Sequence, residues 1–293
     1  MIKFTKMHGL GNDYVYIDCI NQDIHNEQNL AKFISNRNFG VGSDGLILIK
    51  ESNVADFRMQ MFNSDGTEAE MCGNGIRCIG KFIYEKGLSK KNILKIETLA
   101  GIKKLILNIK NEKVESVKVD MGEPILESKN IPVKGAKCFK SEDNISFYKL
   151  TLPVDKDIKE LTCVSMGNPH AVEYVSDVNT IEIEKIGKTI ESDSHFPSRV
   201  NIEFIEIIDD EKIKMRVWER GTGETLACGT GACASAVSSF LNGYTKRNVT
   251  VELLGGKLEI EWNKENNHVY MTGPAKTVFD GNLYINCDLK EEM

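Results

Sequence analysis

Two cysteines share one unusual setting. Cys72-Gly73-Asn74-Gly75 and Cys228-Gly229-Thr230-Gly231 each put a thiol immediately ahead of small, flexible residues. After Cys72, the apolar residues Ile76, Ile79, Phe82 and Ile83 recur at helical spacing, and Gly87 supplies a stop. Ala232, Ala236, Val237 and Phe240 repeat this after Cys228 and end at Gly243. Each thiol is therefore expected at a helix N-terminus, where backbone N–H groups lack intrahelical partners and the helix carries partial positive charge. This favours thiolate over thiol, so both pKa values are expected to fall from about 8.5 toward neutrality. The glycines also let backbone N–H groups approach an anion such as a carboxylate.

A thiolate and a thiol on opposite faces of a carbon that bears a carboxylate can invert that carbon. One sulfur removes the proton while the other delivers a proton from the far side. The developing charge sits on the carboxylate, where fixed N–H dipoles stabilise it. This chemistry needs no cofactor, and none is expected. No metal is expected either, because Cys72/Cys78 and Cys228/Cys233 lack the spacing of a zinc knuckle. Most of the other cysteines (Cys19, Cys78, Cys138, Cys163, Cys233 and Cys287) read as small buried hydrophobes, and composition assigns them no role.

The elements that must position these thiols repeat along the chain. The two motifs lie 228 − 72 = 156 residues apart. The same offset pairs Gly11-Asn12 with Gly167-Asn168, the stretch 57–62 with 213–218, and Gly87 with Gly243. Four blocks held at one offset indicate duplication. Short alternating or continuous apolar runs such as Val15–Ile17, Leu46–Ile49, Met59–Met61 and Leu105–Leu107 read as strands. The fold expected is α+β, with two pseudo-symmetric domains that each wrap a curved, mostly antiparallel sheet around a central helix. The domains are expected to comprise 1–121 plus 275–293, carrying Cys72, and 122–274, carrying Cys228. The tail from Val278 to Cys287 is expected to return to the first domain as a strand. If the halves face each other across a cleft and the two sulfurs approach when it is empty, peroxide should link Cys72 to Cys228 reversibly and stop activity.

At 293 residues the chain has room for two ordinary domains, and its 41% hydrophobic and 27% charged residues are those of a globular protein. A formal net charge of −6 argues against a nucleic-acid surface. No run of 18 apolar residues predicts a membrane span, and the opening MIKFTKMHGLGNDY lacks the apolar core of a secretory signal. The expected location is cytoplasmic, and a disulfide framework is not expected there.

Four stretches resemble the diaminopimelate epimerase family: FTKMHGLGNDYVYID from Phe4, NSDGTEAEMCGNGIRC from Asn63, MGNPHA from Met166, and ERGTGETLACGTGA from Glu219. The resemblance implies interconversion of LL- and meso-diaminopimelate, a place in lysine and peptidoglycan-precursor synthesis, and a homodimer. It implies that Cys72 and Cys228 are the paired base and acid, with His170 and Glu219 tuning their surroundings. Gly73, Asn74, Gly229 and Thr230 are implied to hold the reacting carboxylate through backbone groups. Asn12, Asn63, Asn168, Asn201, Glu219 and Arg220 are implied to grip the rest of the substrate, with Arg220 suited to a distal carboxylate. Some family members use a glutamine near Gly45, so no contact is assigned to that position.

The offset also pairs unlike residues: Asn63 with Glu219, Ser64 with Arg220, Tyr14 with His170 and Gly45 with Asn201. The cysteine machinery is symmetric and its surroundings are not, as suits a substrate whose long arm extends to one side. A proline or hydroxyproline racemase of the same architecture is the nearest rival, and it leaves Arg220 without a distal charge to bind. A thiol-redox or metal-binding protein and a non-catalytic binding module are the rivals from other classes.

Overall fold

The computed structural model describes residues 1–154 and 157–284. They form two compact units, one of Met1–Val119 with the described chain from Gly273 onward, the other of Asp120–Thr272. Each is a sheet with one long and one short α-helix, and the second adds a 3₁₀ turn at Val178–Thr180.

In the first unit β1 (Ile2–Gly9) turns through Leu10 and Gly11, both at positive φ, into β2 (Asn12–Asp18). Helix α1 (Glu27–Ser35) follows, then β3 (Gly45–Lys50), β4 (Phe57–Asn63) and the short β5 (Glu68–Ala69). Helix α2 (Gly73–Glu85) leads to β6 (Ile93–Thr98), β7 (Gly101–Lys110) and β8 (Lys113–Gly122). β2 and β3 run parallel with Tyr14 opposite Gly45, and β3 and β4 run antiparallel with Leu46 opposite Phe62. β4 and β6 are parallel, while the β6–β7 and β7–β8 pairs are antiparallel.

The alternation of β2 and β3 decides what the sheet buries. Val15, Ile17, Leu46 and Leu48 pack with Leu30, Ala31 and Ile34 of α1. The opposite face meets α2. Gly80 lets that helix sit against β7, since a Cβ there would lie 2.8 Å from Leu107 Cδ2. Gly87, at φ 78°, ends the segment in a conformation that favours glycine.

The second unit repeats the plan. Strands β9 (Lys137–Lys140), β10 (Ser146–Val154), β11 (Asp157–Ser165) and β12 (Pro169–Tyr174) form an antiparallel run. Helix α3 (Ile183–Glu191) leads to β13 (Asn201–Asp209), β14 (Lys212–Glu219) and β15 (Gly223–Thr225). Helix α4 (Gly229–Leu241) precedes β16 (Asn248–Leu253), β17 (Gly256–Trp262) and β18 (Val269–Gly273). β12 and β13 run parallel with His170 opposite Asn201, and Ile202 lies opposite Trp218 across β13 and β14. These are the first unit's registers displaced by 156 residues. The final strand, β19 (Lys276–Leu283), pairs antiparallel with β1, from Ile2 opposite Leu283 to His8 opposite Lys276. The expected continuation of this strand to Cys287 lies outside the described residues.

Both long helices and the mixed, largely antiparallel sheets agree with the expected fold class. Helices α1 and α3 are additions to the sequence reading, and they too lie 156 residues apart. Their signal is short: Leu30, Ala31 and Ile34 in one, Ile183, Ile186 and Ile190 in the other. Over nine residues such spacing competes poorly with the surrounding strand patterns. Among the described residues no helix is long and apolar enough to cross a membrane.

Candidate active site

Both expected helix starts are present, and the cysteine is the N-cap in each. Cys72 has φ −126° and ψ 122°, and its Sγ accepts from Gly75 N–H at 3.4 Å. Cys228 has φ −114° and ψ 112°, and its Sγ accepts from Gly231 N–H at the same distance. The sulfur thus replaces the oxygen of an ordinary cap, satisfying one orphan donor of the first turn.

Around Cys72 the neighbours are uncharged side chains backed by a charged cluster. The Cys72 thiol donates to Asn12 Oδ1 at 3.2 Å. The same amide's Nδ2 donates to Asp44 Oδ2 at 2.8 Å, so Asp44 decides which end of Asn12 faces the sulfur. Asp44 also accepts from Asp13 N–H and pairs with Arg37 at 2.9 Å. Arg77 is fully buried and clasps the first turn of α2, donating to Gly73 O at 3.0 Å and Asn74 Oδ1 at 2.8 Å. Its Nε reaches Pro274 O at 3.2 Å. The Asn74 side-chain oxygen is thereby turned to Arg77. Asn63 ends β4 opposite Gly45, with its amide on Thr67 Oγ1 at 3.0 Å.

Around Cys228 the neighbours are ionisable. His170 on β12 is fully buried between Glu203, 2.7 Å from Nδ1, and Asn168 Oδ1, 3.1 Å from Nε2. Asn201 is buried too, donating to Pro169 O and accepting from Arg220 N–H at 2.8 Å. Glu219 ends β14 and accepts from the Thr225 hydroxyl. Burial pushes the Glu219 carboxyl above its ordinary range, against the pull of hydrogen bonds from Thr225 and Cys228. Arg220 is exposed, and its Nη1 donates to Ser198 O at 2.7 Å. The turn from Glu219 to Thr222 hangs from α3, where Glu191 accepts from Gly221 N–H at 2.8 Å and Trp218 Nε1 at 2.7 Å. Thr230, in the first turn of α4, has its hydroxyl 3.5 Å from Cys228 Sγ, and Gly229 beside it is buried.

One electrostatic expectation is overturned. A helix N-terminus was expected to lower the Cys228 pKa, yet the thiol is pushed well above its ordinary value. Burial is the main cause, followed by the charges of Glu219 and Glu203, which outweigh the bonds from Thr230 and Gly231. Taking an anion out of water beside two carboxylates costs more than the first turn of a helix returns.

The diaminopimelate epimerase family model matches residues 4–127 and 162–278. A diaminopimelate epimerase from Acetivibrio thermocellus is 57% identical over 288 residues, covering 97% of this chain and 99% of its own. The chain belongs to the diaminopimelate epimerase family. It is accordingly an isomerase of the epimerase class. A diaminopimelate epimerase from Methanococcus maripaludis is also 57% identical, over 97% of this chain and 100% of its own. Among solved structures, a probable proline racemase from Agrobacterium radiobacter superposes with a TM-score of 0.69 at 13% identity, covering 98% of this chain and 94% of its own. A phenazine biosynthesis protein of Bacillus anthracis superposes with a TM-score of 0.67 at 20% identity, covering 97% of this chain and 99% of its own. Both share the fold of this diaminopimelate epimerase family chain.

Asp44, Arg77, Glu191 and Glu203 border the candidate site and were not expected from the sequence. Asp44 lies in the bend before β3 and stays partly exposed, and an acid in such a place reads as a surface residue. Glu203 lies in β13, where an isolated acid also reads as solvent-facing, and only the packing of α4 on that face makes it internal.

Proposed function

We propose that the chain interconverts LL- and meso-diaminopimelate by a cofactor-independent, two-thiol proton exchange at one α-carbon. The observation that carries this reading is that each unit offers a cysteine as the N-cap of its long helix, at equivalent positions. One sulfur, as thiolate, takes the α-proton; the other, as thiol, returns a proton to the opposite face. The electron pair released from the C–H bond spreads into the carboxylate. First-turn N–H groups at Gly73, Asn74, Gly229 and Thr230 stabilise that charge. Glu219 and His170 set the protonation of the Cys228 side. Asn12, Asn63, Asn168, Asn201 and Arg220 hold the remaining amino and carboxylate groups of the substrate.

The family's relatives support diaminopimelate over a compact imino acid, which has no distal carboxylate to offer Arg220. The same reading gives the chain a step in lysine and peptidoglycan-precursor synthesis. It further includes a homodimer acting in the cytoplasm, with no nucleic acid or membrane as partner.

The test is α-proton exchange in deuterated water, with diaminopimelate and proline side by side. Diaminopimelate exchanges and proline does not. Cys72→Ala and Cys228→Ala each lower turnover by about 10²–10⁴-fold with an unchanged circular dichroism spectrum. Faster exchange with proline, or wild-type turnover by both variants, sinks the reading.

A further inference from the structure

The two thiols differ in what lies beneath them. Under the first turn of α2, Tyr14 sits on β2 and Ile47 on β3; at the equivalent places under α4 are His170 on β12 and Glu203 on β13. A Cβ built on Gly75 would stand 2.8 Å from Ile47 Cδ1, and one on Gly231 would stand 2.6 Å from Glu203 Oε1. The same seat holds a methyl group in one unit and a carboxylate in the other. Burial drives the Tyr14 phenol well above its ordinary pKa, so that side stays neutral.

Packing alone does not call for a carboxylate here, since Ile47 fills the matching space. Glu203 is fully buried, and its Oε2 has no hydrogen-bond partner among the described residues. A half-satisfied buried carboxylate is unfavourable. Its other oxygen is committed to His170 Nδ1 at 2.7 Å. The same oxygen lies against Gly231, the residue whose N–H donates to Cys228 Sγ.

We propose that Glu203 is a positioning residue for Cys228: it holds a proton on His170 Nδ1 and sets a carboxylate behind this sulfur where Cys72 has a methyl group. The groups facing Cys228 are then Glu203 of β13, His170 of β12, Glu219 at the end of β14, and the Thr230 hydroxyl and Gly231 N–H of α4. Among them Glu203 and Glu219 oppose thiolate formation, in keeping with the raised pKa of this thiol. The catalytic meaning of this arrangement rests on the two-thiol reading above, whereas its geometry does not.

The experiment follows alkylation of each cysteine in the full chain by iodoacetamide, mapped by peptide mass spectrometry from pH 6 to 10. In Glu203→Gln the Cys228 profile shifts about one pH unit lower, read as about tenfold faster alkylation at pH 9, and the Cys72 profile stays. An unmoved Cys228 profile, or equal movement of both, overturns the proposal. Should Glu203→Gln fail to fold, the wild-type protein decides through its ring ¹⁵N shifts. A protonated His170 Nδ1 supports the proposal and a bare one overturns it. Neither readout uses diaminopimelate. A protein that fails the exchange assay but shows the shift loses its proposed function and keeps the role of Glu203, and the converse result does the reverse.

Discussion

Single side chains differ here in whether they touch a sulfur or hold the group that does. Asp44 belongs to the second kind, because it holds the Asn12 amide with Oδ1 toward Cys72. Asp44→Ala releases that amide to rotate and lowers turnover by about 10–100-fold, with a smaller change in KM. Steady-state kinetics reads both, and a loss confined to KM would remove Asp44 from this role. Glu219 makes a prediction of opposite sign for stability. Its folded pKa lies above the unfolded value, so the folded state binds this proton more tightly. The stability so gained is present below the unfolded pKa and is lost as pH rises through the folded one. Once the pH passes the folded pKa, the ionised, largely desolvated Glu219 is therefore a burden. Glu219→Gln should flatten the fall of the melting temperature between pH 4 and 8 and raise it at the upper end, while it depresses activity. Calorimetry with equal melting temperatures across this range would refute the claim.

At the scale of elements, each long helix is held close to its sheet by glycine, and the tolerance of the two contacts differs. A methyl group at Gly75 meets the far end of the Ile47 side chain, which can turn aside. One at Gly231 meets a fixed carboxylate oxygen at 2.6 Å and the Cys228 sulfur at 3.2 Å. Gly231→Ala should therefore cost about 1–3 kcal/mol by overpacking, and Gly75→Ala less. Urea unfolding of the two variants gives the comparison, and an equal loss would show that both seats yield alike. The long helices themselves were legible in the sequence. Their apolar residues recur over a full 13 positions, and a glycine at positive φ follows each. Glu203 was illegible for a physical reason. β13 is covered on both faces, with Ile202 and Phe204 in the core that includes Ile183 and Ile190 of α3, and Glu203 toward α4. A strand buried on both sides loses the polar-out alternation that would have marked an inward acid as unusual. Arg77 was hidden similarly, inside a helix where a cation reads as surface.

For the molecule as a whole, the order of strands along the chain is not the order in which they must associate. β19, the last described strand, makes β1 an interior strand rather than an edge, and its Gly281 accommodates the Phe4 ring. Asp280 adds a bond to Thr5 at 2.6 Å and an ion pair with Lys86. A chain ending at Thr272 should therefore lose protection at β1 amides in hydrogen exchange and melt its first unit at lower temperature. The amides of β11 to β13 should keep theirs. Equal protection in β1 would show that the returning strand is dispensable. The duplication itself could be read from residue types alone, because cysteine, glycine and asparagine are hard to replace where a cap or a turn needs them. The helices that share the offset, α1 and α3, could not, since their packing accepts many apolar residues.

The matched registers, Tyr14 opposite Gly45 and His170 opposite Asn201, carry one last consequence. Both copies of the frame are encoded on a single polypeptide, so any substitution alters the surroundings of one sulfur and leaves the other's as they were. An assembly of two identical halves has no such freedom, because every mutation would strike both. Inheritance on one chain is what allowed a neutral tyrosine to stand on one side and a histidine–glutamate couple on the other.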